Sequence, residues 1–139
     1  MKYISIISRL STQYRNDYLQ DIHLTGYQYT YILNICRNPG ISQEKLSEII
    51  YINKSNVTRQ LYSLERNGFV ERRFSENDKR VMELYPTEKA LEAYPKVVEV
   101  LQEWNNYLTS DFNDEEREIM SGLLEKMMNK AIKYIKSEK

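Results

Sequence analysis

Residues 53–84 read NKSNVTRQLYSLERNGFVERRFSENDKRVMEL, and the order of residue types along them decides the fold. Asn53 is suited to cap a helix, because its side-chain oxygen can accept a free amide of the first turn. Gly68 is suited to the left-handed position just past a helix end. At about 100° per residue, Val57, Leu61 and Leu64 fall within one narrow sector and face a core. Ser55, Arg59, Tyr62 and Arg66 then lie on the opposite side, with Asn56 and Thr58 flanking them. Phe69–Arg73 reads as a strand, Ser75–Asp78 as its turn and Val81–Tyr85 as the partner strand.

Upstream, Ser42 can cap a short helix with Leu46, Ile49 and Ile50 inward. With the helix after Asn53 it makes a helix-turn-helix, to which the hairpin adds a wing. Thr25 is expected to cap an earlier helix through Tyr31, Ile32, Leu33 and Ile35, stopped by the turn Asn38-Pro39-Gly40. Ile4, Ile7, Leu10, Tyr14, Tyr18 and Ile22 recur every three or four positions, which predicts a first long helix. Downstream, Thr87 can cap a helix of roughly twenty residues, in which Pro95 predicts a kink or local break. Asn113 with Glu116 forms a capping box opening the last helix, where Ile119, Leu123, Met127, Ala131 and Ile135 repeat at spacing four. The fold class is mainly α with a small β-hairpin wing (α+β), a winged helix-turn-helix.

The 139 residues, 41% of them apolar, can bury one moderate core. Lys+Arg and Asp+Glu each number 20, so the net charge is zero. Distribution matters more than the total: Lys54–Arg80 holds seven basic residues against four acidic, a local +3 balanced by −3 elsewhere. One cysteine, Cys36, excludes an internal disulfide, and with the single His23 it cannot make a Cys/His zinc site. Serines and Arg9 interrupt the start before a signal-peptide core forms, and no run approaches the ~18 apolar residues of a membrane span. A soluble cytoplasmic protein without cofactor or metal is expected.

Short polar residues at a helix N-terminus can approach base edges closely. Arg can take guanine O6 and N7 bidentately, and Asn can take adenine. Ser55, Asn56, Thr58 and Arg59 are the base-reading candidates. Arg80 is long and flat enough to enter a minor groove, where the potential is most negative, with Asp78 able to hold its guanidinium. Lys54, Arg72, Arg73 and Lys79 complete the wing and phosphate set, since free amides and cations at such a surface neutralise phosphates.

With these residues in place, the chain resembles the MarR (multiple antibiotic resistance regulator) family of transcription factors. The resembling stretches are Leu24-Thr25-x-x-Gln28, Gln43-x-x-Leu46, Ser55-x-Val57-Thr58-Arg59, Glu65-Arg66-x-Gly68-Phe69-Val70-Glu71-Arg72, Asp78-x-Arg80 and Thr87-Glu88-Lys89, in order and without gaps. One departure is Ala90, where many relatives carry glycine. The resemblance implies a homodimer on double-stranded DNA, with intertwined first and last helices, the helix after Asn53 in a major groove and the wing in the adjacent minor groove. It implies a single MarR-like unit over 1–139: dimerisation helices 1–23 and 111–139, a winged-helix DNA-binding lobe 24–89 and a connecting helix 90–110. It further implies repression, less often activation, relieved by a small ligand or oxidation. A two-fold dimer predicts a pseudo-palindromic operator with half-sites about 10 bp apart, and the apolar stripes of the terminal helices independently call for a partner surface.

Tyr14, Tyr18, Tyr27, Tyr29 and Tyr31 crowd the first two helices, and in the resembling family that region borders a cleft. Tyr14, Tyr18, Tyr27 and Tyr31 are the candidates for stacking a small aromatic ligand, against the simpler expectation that tyrosines at helical spacing pack with a bonded hydroxyl. Cys36 is expected to be a buried inert thiol, His23 structural or solvated, and Met120, Met127 and Met128 interface packing. Lys126, Lys130, Lys133, Lys136 and Lys139 are expected to form a solvated face. No nucleophile set, metal-ligand spacing or phosphate loop suggests an enzyme. The alternative function is a winged-helix module that binds protein and leaves its basic wing solvated.

Overall fold

The computed structural model describes residues 1–137. It forms two compact units, one from Met1 to Trp104 and one from Asn105 onward.

In the first unit, helix α1 (Lys2–Leu19) ends in a 3-10 turn over Gln20–Ile22, closed by the left-handed backbone of the exposed His23 (φ 61°). Helix α2 spans Tyr29–Arg37, strand β1 Ile41–Ser42, helix α3 Gln43–Ile50 and helix α4 Lys54–Arg66. Strands β2 (Val70–Phe74) and β3 (Met82–Pro86) follow, then helix α5 (Glu88–Leu108), which passes the unit boundary. The expected hairpin forms, in antiparallel register with Arg72 opposite Leu84. A third strand joins it, β1 pairing with the outer side of β3 through Ile41 opposite Leu84.

The core collects one face of each element: Leu19, Tyr31, Ile32 and Ile35, Leu46, then Val57, Leu61 and Leu64, with Phe69, Leu84, Val97 and Val100. The inward stripe of α4 is the one its spacing predicts, all three residues being fully buried. In α3 the inward face is rotated from expectation. Ile49 stands exposed and Ser47 is buried instead, its hydroxyl donating to the Ile52 carbonyl at 2.8 Å and tying down the turn into α4. A buried hydroxyl is tolerable because that bond satisfies it.

Several caps lie where the residue types predict. Ser42 accepts the Lys45 amide, Asn53 the Asn56 amide and Thr87 the Ala90 amide. Thr87 also donates to the Gly68 carbonyl, and Gly68 closes α4 at φ 77°. Thr25 differs from expectation, because α2 begins only at Tyr29. The intervening residues form a turn in which the buried Gln28 side chain accepts the Thr25 amide, the half of a capping box contributed by the residue three positions on. Gln28 also donates toward Gln60 and Ser63, linking this turn to α4.

The α1 to α2 junction is held at one peptide. The Gly26 amide donates to Asn16 Oδ1 at 2.6 Å, and its carbonyl accepts Arg15 Nε at 3.0 Å while the Arg15 guanidinium lies over the Tyr29 ring. α5 runs unbroken through Pro95. Its Trp104 donates to the buried Ser11 hydroxyl at 2.7 Å, and Tyr14 stacks on the indole at 4.5 Å.

The second unit is dominated by α6 (Asp114–Ser137). Its start is the full capping box: the Asn113 amide donates to Glu116 Oε2 and the Glu116 amide to Asn113 Oδ1, each at 2.9 Å. None of its described residues is buried, and Ile119, Leu123, Met127 and Ile135 are exposed. Lys126, Lys130 and Lys133 are exposed as expected; Lys139 lies outside the described residues. Among the described residues, no helix is long and apolar enough to cross a membrane.

Candidate nucleic-acid interface

The interface candidates occupy the start of α4, the start of α3 and the wing. Because Val57, Leu61 and Leu64 are spent on the core, the first turns of α4 present Lys54, Ser55, Thr58 and Arg59 to solvent. Asn56 is half-buried at their edge.

These side chains are already organised by local hydrogen bonds. Ser55 donates to Asn53 Oδ1 at 3.0 Å, and Arg59 Nη2 donates to Asn56 Oδ1 at 2.7 Å. Thr58 donates to the Lys54 carbonyl at 2.9 Å and accepts Gln43 Nε2 at 2.8 Å. Such bonds reduce the rotamer freedom that binding must otherwise remove.

Lys54, Arg73 and Arg80 come with carboxylate partners. Lys54 Nζ lies 2.6 Å from Glu44 Oε1, which holds the carboxyl below its ordinary range and raises the ammonium. Arg73 pairs with Glu71 at 2.9 Å and lies over the Tyr85 ring. Arg80 is the most open of them, its side chain 90% exposed. Asp78 nevertheless grips it three ways: Oδ1 accepts both the Arg80 amide and Nε, and Oδ2 accepts Nη2, each at 3.0 Å. Those bonds keep the Asp78 carboxyl below its usual range, so the grip persists through neutral pH. Lys79 is exposed beside it.

Arg72 differs from the others. Its Nε and Nη2 both donate to Glu65 Oε2, at 2.9 and 2.6 Å, and its side chain is only 20% exposed. The guanidinium fastens β2 to the end of α4, which sets the angle of the wing.

A cavity of about 510 Å³ opens among these elements, lined in part by Gln43, Glu44, Lys54, Arg72, Phe74 and Arg80. Gln43, Glu44 and Phe74 were not singled out as site residues from the sequence. Their approach to Thr58, Lys54 and the wing depends on how α3 crosses α4, and residue spacing within one helix carries no sign of that.

The four tyrosines take different positions. Tyr31 is 1% exposed, and its hydroxyl has no partner among the described residues. Burial pushes its pKa up, with the Arg59 charge acting the other way. Tyr27 is exposed, while Tyr14 packs between Tyr18 and Trp104. None of the four lines the cavity beside the wing. The Cys36 thiol is half-buried rather than buried as expected; it donates to the Ala90 carbonyl, and burial pushes its pKa up, which favours the less nucleophilic thiol form. Among the described residues, no cluster of His, Cys, Asp or Glu could hold a metal ion.

A helix-turn-helix with a three-stranded wing and an organised polar face defines a winged-helix protein of the DNA-binding type. The MarR family model matches residues 24–82. The chain is 34% identical over 127 residues to YybA of Bacillus subtilis, itself an uncharacterised HTH-type transcriptional regulator, covering 91% of this chain and 85% of that one. It superposes on the crystal structure of the transcriptional regulator SlyA with a TM-score of 0.95 at 28% identity, over 99% of this chain and 97% of the other. It also matches a MarR family regulator from Listeria monocytogenes, solved in complex with a 26mer DNA, with a TM-score of 0.87 at 29% identity over 93% and 86% of the two chains. The chain belongs to the MarR family of helix-turn-helix transcriptional regulators.

Proposed function

We propose that the protein is a homodimeric repressor that binds a pseudo-palindromic operator in the cytoplasm. One observation carries the proposal: Lys54 at the start of α4 and the Asp78-held Arg80 of the wing line one groove, and Ser55, Thr58 and Arg59 are exposed on the first turns of the same helix. In this reading α4 enters a major groove with Ser55, Asn56, Thr58 and Arg59 toward base edges. Arg80 enters the neighbouring minor groove, and Lys54, Arg73 and Lys79 meet phosphates. Arg72, paired with Glu65, acts by holding the wing.

The test is a gel-shift titration of the full chain against DNA from upstream of its own gene and against random DNA, repeated over a range of salt. Preference for the upstream DNA is expected, with log affinity falling against log salt by about 0.9 per phosphate neutralised. Equal binding to both, or a flat salt response, would favour the protein-binding alternative.

The dimer reading is supported by two exposed apolar faces, Ile4, Ile7 and Leu10 on α1 and Ile119, Leu123 and Met127 on α6. Leu123→Glu places a charge in such an interface, where desolvating it is costly. Sedimentation should then report monomer where the parent is a dimer, and operator binding should fall with it. An unchanged sedimentation coefficient for the variant would remove α6 from the interface.

Release by a small ligand is included in the proposal. Its support is the family resemblance together with the tyrosine and tryptophan rings packed on α1 and α5.

A further inference from the structure

The Thr58 hydroxyl is the polar group on α4 that the structure ties down most fully. A threonine hydroxyl has one proton and two lone pairs. Here the proton goes to the Lys54 carbonyl one turn back, and one lone pair takes the Gln43 amide reaching across from α3. The oxygen is therefore drawn onto the wall of its own helix and toward α3, and it has no proton left for guanine or for the ring nitrogen of adenine. The side chain is nonetheless exposed. With Oγ1 fixed in this way, the group it can still offer outward is its γ-methyl.

We infer that Thr58 reads the 5-methyl group of a thymine through its own methyl, and that Gln43 is the positioning residue that holds it in that rotamer. The inference rests on the reading above, in which α4 enters the major groove. The thymine methyl is exposed there, and apolar contact with it is a recognised way of telling thymine from the other bases.

The experiment is a scan of the upstream operator in which each thymine is replaced in turn by deoxyuridine, which removes that methyl and nothing else. With the full-length parent protein, one position per half-site should lose about fourfold in affinity, the scale of one buried methyl. Thr58→Val keeps the methyls and should retain that sensitivity. Thr58→Ser keeps the hydroxyl and should abolish it. Gln43→Ala should reduce the thymine-to-uracil ratio at the same position while leaving the salt slope unchanged, an outcome that simple loss of a phosphate contact would not give.

A uracil scan that is flat in a protein still preferring its operator overturns this inference alone. So does sensitivity that survives in Thr58→Ser and disappears in Thr58→Val, because the hydroxyl would then be the reader. Absence of any operator preference in the parent overturns both this inference and the reading beneath it.

Discussion

Arg80→Ala is expected to lower operator affinity by about fivefold to more than about a hundredfold, the range of ~1–3 kcal/mol typical of a lost base-edge contact. The fold should be unaffected, because the side chain is 90% exposed and its ion-pair partner sits on the same turn. The loss has two physical parts. The guanidinium that would enter the minor groove is gone, and the Asp78 carboxylate it covered is left facing phosphates. The double variant Asp78→Ala, Arg80→Ala should therefore bind better than Arg80→Ala alone. Arg80→Lys keeps the charge but cannot reproduce the planar grip on both Asp78 oxygens, and should fall between parent and alanine. Fluorescence anisotropy at moderate salt, beside a thermal melt, checks all three; unchanged affinity for Arg80→Ala would remove the wing from the interface.

Gly26→Ala is expected to destabilise the protein by about 1–3 kcal/mol, the usual cost of overpacking a tight contact. A Cβ at Gly26 would run into the Thr12 carbonyl of α1 and press on Asn16 Oδ1 at 3.0 Å. Backbone atoms cannot yield as a flexible side chain can, so α1 has to shift. Both bonds at that peptide, from the Gly26 amide to Asn16 and from Arg15 to the Gly26 carbonyl, weaken as it does. Gly122→Ala in α6 is the natural contrast, since nothing lies within 4 Å of a Cβ there. That change should be neutral or stabilising by up to about 1 kcal/mol through helix propensity. Equal denaturation midpoints for Gly26→Ala and the parent would show that the junction is looser than its geometry indicates.

The fold was legible wherever a local residue type has one dominant use. Ser42, Asn53 and Thr87 cap helices as their side chains predict, and Asn113 with Glu116 forms a reciprocal box. The stripe of α4 needed only helical angle. Features resting on partners distant in sequence were not legible. Strand β1 is two residues long and exists because β3 offers it Leu84 and Glu83. Thr25 has the chemistry of a cap, but Gln28 closes the turn first and α2 starts later. Ile49 lies outside and Ser47 inside because the Ile52 carbonyl claims the Ser47 hydroxyl. In the site, the polar residues of α4 and the wing could be picked out by type and position. That Gln43 and Glu44 reach them from α3 could not.

Lys54, Arg73 and Arg80 each carry a carboxylate within ion-pair distance, so the zero net charge of the chain is repeated at the scale of single side chains. Each such cation has a counterion supplied in cis, so a phosphate that engages Lys54 or Arg73 must compete with Glu44 or Glu71 of the protein itself, in addition to releasing the ions condensed on the DNA. In the proposed complex, the affinity of this surface for arbitrary DNA is expected to be held down without removing any basic residue, and binding is expected to depend the more on contacts that only the right bases can complete.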